Sequence, residues 1–478
     1  MKFLIENNIF FQKYLPWILA FLIAIFVGKV VAKGVAEYDI FLAILLFLPI
    51  IFIKPFWGLL ICIPLTLWYG FIPLFFTPPR NYLILFLGII FILTFFLRGG
   101  RIKINHYSKK ILFFAIFIIF LSLVINLVNE ISLEISLINT GRLILFLMLG
   151  ICTMFFLKNE KRLSIFLYFL FGCLLISAFV GIMQFFGFEF FWRLREIVGL
   201  DPKIAPDILA RARITGLSFY SIPFGYQLTA ILPLIFAFLI QKKSKILSKT
   251  YLIATFIICL LALFMTQSRS AIVGGVVGLL LVIFLTHKKK IRNTFFVIAT
   301  LCLIVLIINQ ITSGYFLKRF EIGYITTYIT DLPARFTAQI AAFETALKYP
   351  LGIGRGEAEE YLIGWEKYQD IFPISPHNQF TNILLYYGWL GLLSLILFYY
   401  FIFKGLSSLY FKKDFPLRGV AIGLIGSFSA YIINSLFHND GPFLFDVFNW
   451  FFIGVTLFLL NQYGKFSKPV PKYEITQN

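Results

Sequence analysis

The chain has 478 residues, of which 60% are hydrophobic and 19% aromatic, and it carries a formal net charge of +20. Soluble globular domains are about 45–50% apolar, so the composition excludes a soluble protein and points to an integral membrane protein. The charge does not imply nucleic acid: it lies in short gaps between apolar segments, where it sets topology and attracts anionic lipid headgroups.

A membrane span needs about 17–25 mostly apolar residues. Scanning in chain order gives candidates at 15–32, 39–53, 56–76, 82–97, 111–128, 141–157, 163–186, 218–240, 250–266, 271–286, 294–312, 379–403, 418–437 and 442–462, about fourteen in all. The 39–76 region is the least regular, because 39–53 is short for a span. Lys2 and Lys13 precede the first run and no small-residue cleavage site follows, so that run is expected to be a retained span. Cys62, Cys152, Cys173, Cys259 and Cys302 all fall in apolar stretches without CxxC spacing, which gives neither a disulfide framework nor a metal site.

Basic residues occupy alternate gaps. Lys54 is followed by Arg98, Arg101, Lys103, Lys109 and Lys110, then by Lys158, Lys161 and Arg162. Lys242, Lys243, Lys245 and Lys249 come next, then the run from His287 to Arg292, then Lys404, Lys412 and Lys413, and a tail with Lys465, Lys468 and Lys472. The intervening gaps carry Glu130 and Glu134, or Asp440. Lysine- and arginine-rich short loops stay cytoplasmic, so an even number of spans with both termini inside satisfies every strongly basic gap.

Two outside loops, 187–217 and 313–377, exceed the length of a simple connection and are expected to be structured, since both are rich in aromatic and aliphatic residues. Phe188 to Leu194 reads as an interfacial piece along the headgroups. In the second loop, 334–348 reads as an amphipathic helix: Asp331 and Pro333 supply a cap and a first-turn proline, and Phe336, Ile340, Phe343 and Leu347 recur at helical spacing. Tyr349-Pro350 ends it.

Against the charge bias, Arg211, Arg213, Arg269, Arg335, Arg355 and His377 all fall on the outside. Such a cluster calls for an anionic ligand. In Gln267-Ser268-Arg269-Ser270, a very short turn between two apolar runs holds Arg269 at the mouth of the bundle; the plainer alternative is an arginine reaching for headgroups. Arg211 and Arg213 close the first long loop and suit phosphate, which arginine grips bidentately. His377, after Pro376 at the entry to a span, can accept a proton near neutrality, as general-base catalysis requires. His438 is a second outside histidine; His106 and His287 fall in cytoplasmic gaps. The dense glycines of Pro350 to Gly356 could let backbone amides and Arg355 approach a ligand, or could simply make a tight turn. The segment lacks the lysine and Ser/Thr of a P-loop, so a nucleotide site is rejected. No outside His/Asp/Glu cluster has metal-ligand spacing. Asp446 is the clearest acid near a span, and a proton-coupled carrier would show more of them.

Four stretches together resemble the bacterial O-antigen ligase/polymerase family of membrane glycosyltransferases. These are Arg213-Ile214-Thr215-Gly216-Leu217-Ser218 followed by Pro223; Ser268-Arg269-Ser270; Arg335 to Ala346 with Pro350 and Gly352-Ile353-Gly354; and His377 with Gly388 after ten intervening residues. The resemblance covers roughly 210–440. It departs at Gln339, where the family's ligases often carry leucine four residues after the helix arginine.

The resemblance implies an all-α, GT-C-type protein of about fourteen transmembrane helices in a bacterial inner membrane, one polytopic domain over 1–478 with its active site on the periplasmic face. It implies a donor glycan on undecaprenyl diphosphate, transferred with inversion to lipid A–core, with no nucleotide, cofactor or metal. Arg269 and Arg335, with Arg213 and Arg211, would hold the diphosphate; His377 would activate the acceptor hydroxyl; Arg355 and His438 are further candidates. A polymerase would use the same donor with a lipid-linked glycan as acceptor, and a protein hydroxyl is a related possibility. From another class, a transporter of a lipid-linked glycan or small anion should show related halves and broken helices near the midplane, and no such repeat is visible.

Overall fold

A computed structural model describes residues 54–68, 84–85, 87–93, 104–196, 213–218, 221–240, 248–286, 331–355, 376–412, 415–438, 441–444 and 446–464. The expected spans 15–32, 39–53 and 294–312 lie outside these residues, as do Arg211, Cys302 and most of both long loops. Among the described residues every regular element is a helix and there is no strand.

The helices are α1 (Pro55–Leu67), α2 (His106–Val128), α3 (Leu133–Leu157), α4 (Glu160–Phe185), α5 (Glu189–Glu196), α6 (Ser221–Ile240), α7 (Lys249–Met265), α8 (Arg269–Thr286), α9 (Asp331–Lys348), α10 (Gln379–Tyr410), α11 (Arg418–Ser435) and α12 (Asn449–Tyr463). Six of them, α2, α3, α4, α6, α8 and α10, are long and apolar enough to cross a membrane, and α1 and α7 are shorter apolar helices. This is a multi-pass membrane protein.

Polar residues in the gaps set where helices begin. The side chains of Asn105, Ser132, Asn159 and Asn378 accept backbone N–H groups at the starts of α2, α3, α4 and α10, satisfying donors that no helical carbonyl can reach. Boundaries differ from expectation where such groups intervene. The last helix starts at Asn449 rather than near 442, because Leu444 and Asp446 donate back to the Gly441 carbonyl and Asp446 Oδ1 accepts from Phe448 N at 2.8 Å. The helix expected at 334–348 begins at Asp331 itself, so that residue opens the helix instead of capping it from outside.

Described residues beside four of the lysine-bearing gaps meet at one end of the bundle. Asn105 N donates to Asn461 Oδ1 at 2.8 Å, Tyr463 OH to Glu160 Oε1 at 2.7 Å, and Lys412 Nζ to the Tyr463 carbonyl at 3.1 Å. The opposite end gathers the α2–α3 turn, the α7–α8 turn, the start of α10 and the end of α11.

Between the ends, α12 is the central helix: every residue from Asn449 to Leu460 is buried. A helix apolar on all sides belongs inside. In a membrane, lipid is as apolar as leucine, so tight packing rather than water exclusion holds helices together, and small residues mark the contacts. A Cβ on Gly278 of α8 would lie 2.7 Å from Ala430 Cβ and the Gly426 carbonyl of α11 and from Pro233 Cγ of α6. Thr229 Oγ1 donates to the Ala271 carbonyl at 2.7 Å and ties α6 to α8. The same rule orients α9. Ala338, Ala341, Ala342, Thr345 and Ala346 are buried, while Ile340, Phe343 and Leu347 of the expected apolar face point outward. The small residues admit the neighbouring helix and the large ones are left exposed, apart from an edge contact of Phe343 with Trp389, ring centroids 5.7 Å apart.

The helix α10 is broken. Gly388 has φ 65° and ψ −165°, a region essentially restricted to glycine. The turn after α9 fills the break: Ile353 N donates to the Leu385 carbonyl at 3.0 Å, Gly354 N to Tyr386 O at 3.0 Å, and Trp389 N to Pro350 O at 3.1 Å. Backbone groups freed by a break must be satisfied inside the protein at membrane depth, and this turn does so. A Cβ on Gly388 would stand 2.3 Å from the Pro350 carbonyl oxygen, and one on Gly352 would stand 2.6 Å from Gly388 N. Gly388→Ala is therefore expected to destabilise the protein by about 4 kcal/mol or more, measured by SDS unfolding, against less than about 1 kcal/mol for Ser429→Ala, whose hydroxyl bonds only its own helix at 2.9 Å.

Candidate functional site

The described part of the Gly-rich turn, Pro350 to Arg355, is tied into the fold. Gly352 N bonds the Tyr349 carbonyl, Ile353 N and Gly354 N bond α10, and Arg355 N donates to Asn126 Oδ1 at 2.7 Å. Asn129 and Asn139 donate to the Gly352 and Arg355 carbonyls at 3.3 and 2.8 Å. Arg355 is buried, and its Nη2 donates to the Leu444 carbonyl at 3.0 Å. The described amides of this turn and Arg355 tie α2, α3, α10 and Leu444 together, the contacts of a tight structural turn.

What that turn positions is His377. It sits just before Asn378, the cap of α10, partly buried and with φ 47°. Non-glycine residues adopt such conformations rarely, and they cluster where surrounding structure imposes them. Two contacts impose it here. Gln339 Nε2 of α9 donates to the Pro376 carbonyl at 3.3 Å. Gln379, buried, donates to Tyr399 OH at 3.2 Å and lies so close to Gly441 that a Cβ there would meet its side chain at 2.6 Å. The His377 segment and the segment after His438 are therefore packed directly against each other.

His438 ends the α11 region and reaches α8: its Nε2 lies 2.7 Å from Ser270 Oγ. Ser270 follows Arg269, the exposed first residue of α8. The turn before it is set by Gln267 at φ 56° and by Thr266 Oγ1, which accepts Ser268 N at 3.2 Å. Tyr226 of α6 places its ring edge against His438, with centroids 5.9 Å apart.

Arg213 lies partly buried in a turn organised by one side chain, Gln184 at the end of α4. Its Oε1 accepts Thr215 N and Gly216 N at 3.1 and 3.0 Å, and its Nε2 donates to the Gly216 and Phe191 carbonyls at 3.1 and 3.2 Å. Ser218, the last residue of that turn, accepts from Gln227 of α6 at 3.4 Å, one residue from Tyr226. Arg335 is on α9, one turn before Gln339.

The described candidates thus share one end of the bundle: Arg213, Arg269, Arg335, His377 and His438 occupy segments joined by the contacts above, and Arg355 is part of the framework beneath them. Sequence reasoning missed Ser270 and Gln379 as partners, and it missed Gln184 as the organiser of the Arg213 turn. It also passed over Arg142, partly buried on α3 one turn from Asn139, although an arginine opening an apolar run is itself a signal. Among the described residues no group of three His, Cys, Asp or Glu side chains is placed to hold a metal.

Residues 254–396 match the family model described as O-antigen ligase. This stretch is similar to the O-antigen ligase family. It runs from α7 through the break in α10, and so contains Arg269, Arg335, Arg355, His377 and Gly388. Arg213 and His438 flank the matched stretch on either side. No curated protein matches the chain. Because one glutamine satisfies the Arg213 turn, Gln184→Ala, which leaves two buried amides without their acceptor, is expected to cost about 2–4 kcal/mol, read by SDS unfolding.

Proposed function

We propose that the protein is an O-antigen ligase that transfers a glycan from undecaprenyl diphosphate to lipid A–core at the periplasmic face of a bacterial inner membrane. The observation that carries this reading is the packing of the strained His377 segment against the segment after His438, which leads to Ser270 and Arg269. A single displacement needs a base on one side of the anomeric carbon and a stabilised leaving group on the other.

In this mechanism the His377 imidazole takes the proton of the acceptor hydroxyl. The acceptor oxygen attacks the anomeric carbon from the face opposite the diphosphate, which gives inversion. The bond from that carbon to the phosphate oxygen breaks, and its electron pair stays on the diphosphate. Arg269 and Arg335, with Arg213 and Arg211, supply fixed positive charge to the departing group. Arginine stays charged at any accessible pH while histidine exchanges a proton near neutrality, so the two roles fall to different residue types. Because the donor brings its own leaving group, neither nucleotide nor metal is required.

Gln339 favours a second reading, a polymerase in which the acceptor is another lipid-linked glycan, since the family's ligases often carry leucine at this place. The donor and the site would be unchanged.

The test is transfer in vitro with purified protein, undecaprenyl-diphosphate glycan and lipid A–core, in EDTA and without nucleotide. Wild type is expected to give a larger lipopolysaccharide product, and His377→Ala to lose at least 100-fold in rate, since a general base contributes about 10²–10⁴. A donor ladder that grows without lipid A–core makes it a polymerase. No transfer to either acceptor contradicts the enzyme reading.

A further inference from the structure

Ser270 and His438 are 168 residues apart in sequence, yet their side chains meet at 2.7 Å. Neither has a role in the displacement described above. Both are partly buried, and the ring of Tyr226 closes one side of His438 while packing on Tyr431 with centroids 5.3 Å apart. On the other side Ser270 adjoins the exposed Arg269. A hydroxyl–imidazole pair thus lies against an aromatic wall, one residue along α8 from a cation.

We propose that Ser270, oriented by His438, donates a hydrogen bond to a phosphoryl oxygen of the donor's diphosphate beside Arg269. This rests on the donor assigned under the proposed function and deepens it. A serine hydroxyl has one proton to donate and two lone pairs that accept. With its Nε2 proton directed at Ser270 Oγ, His438 occupies a lone pair and leaves the hydroxyl proton for an anion. Hydrogen bonds to charged oxygens are about twice as strong as neutral ones, and the aromatic surroundings lower the local dielectric and strengthen them further. His438 is here a positioning residue; Ser270 touches the substrate. The arrangement puts a directional donor next to the point charge of Arg269, fixing the phosphate as well as attracting it.

The test is equilibrium binding of radiolabelled undecaprenyl diphosphate to the full chain in nanodiscs. Wild type is compared with Ser270→Ala, Ser270→Thr, His438→Phe and the double variant Ser270→Ala/His438→Phe. Loss of one hydrogen bond to a charged group is expected to weaken binding about tenfold. Ser270→Ala and His438→Phe should each show it, the double variant should be no weaker than the weaker single, and Ser270→Thr, which keeps the hydroxyl, should bind as wild type. Wild-type binding by Ser270→Ala, or losses that multiply in the double variant, would overturn the inference and leave the donor assignment standing. Wild-type protein that does not bind the probe at all overturns both.

Discussion

The structure depends on a broken helix that another segment completes. At Gly388 the backbone of α10 leaves the helical path, and the turn after α9 enters the gap and takes over the bonds that α10 gives up. An uncompensated break at membrane depth would leave several polar groups unsatisfied, at several kcal/mol each. Break and turn therefore require one another. Their joining fixes α9 on α10 and, through Gln339, the backbone just before His377.

From that joint the rest of the site follows by contact. The turn continues into Arg355, which holds the Leu444 carbonyl, and the same 441–446 segment packs on Gln379, two residues past His377. His438, three residues before Gly441, carries the chain of contacts to Ser270 and the first turn of α8. Local propensity plays a small part here, because the apolar helices have no strong amphipathic preference to orient them. Position comes from glycines and alanines that let helices approach, and from asparagine and glutamine side chains that tie the loops.

Much of this was legible in the sequence. Hydropathy placed the long apolar helices that are described. Periodicity found α9 and the apolar face of its large side chains. It could not show that the alanines on the opposite side would permit the closer contact. Arg355 could be read as a ligand cation or as part of a tight turn, because a sequence shows a charge beside glycines and not the Leu444 carbonyl that accepts from it. Gly388 was visible only as a glycine at a set distance from His377; that it is a break depends on a turn from another part of the chain. Ser270 with His438 is a pairing across 168 residues, for which one sequence carries no local signal.

The most direct test of this account is hydrogen–deuterium exchange at the amides of Ile353 and Gly354, with the protein in lipid nanodiscs. If the turn completes α10, these amides exchange as slowly as those in the interior of the helix, although they belong to a glycine-rich connection. Exchange at the rate of an open loop would contradict the docking, and with it the explanation of how His377 is held.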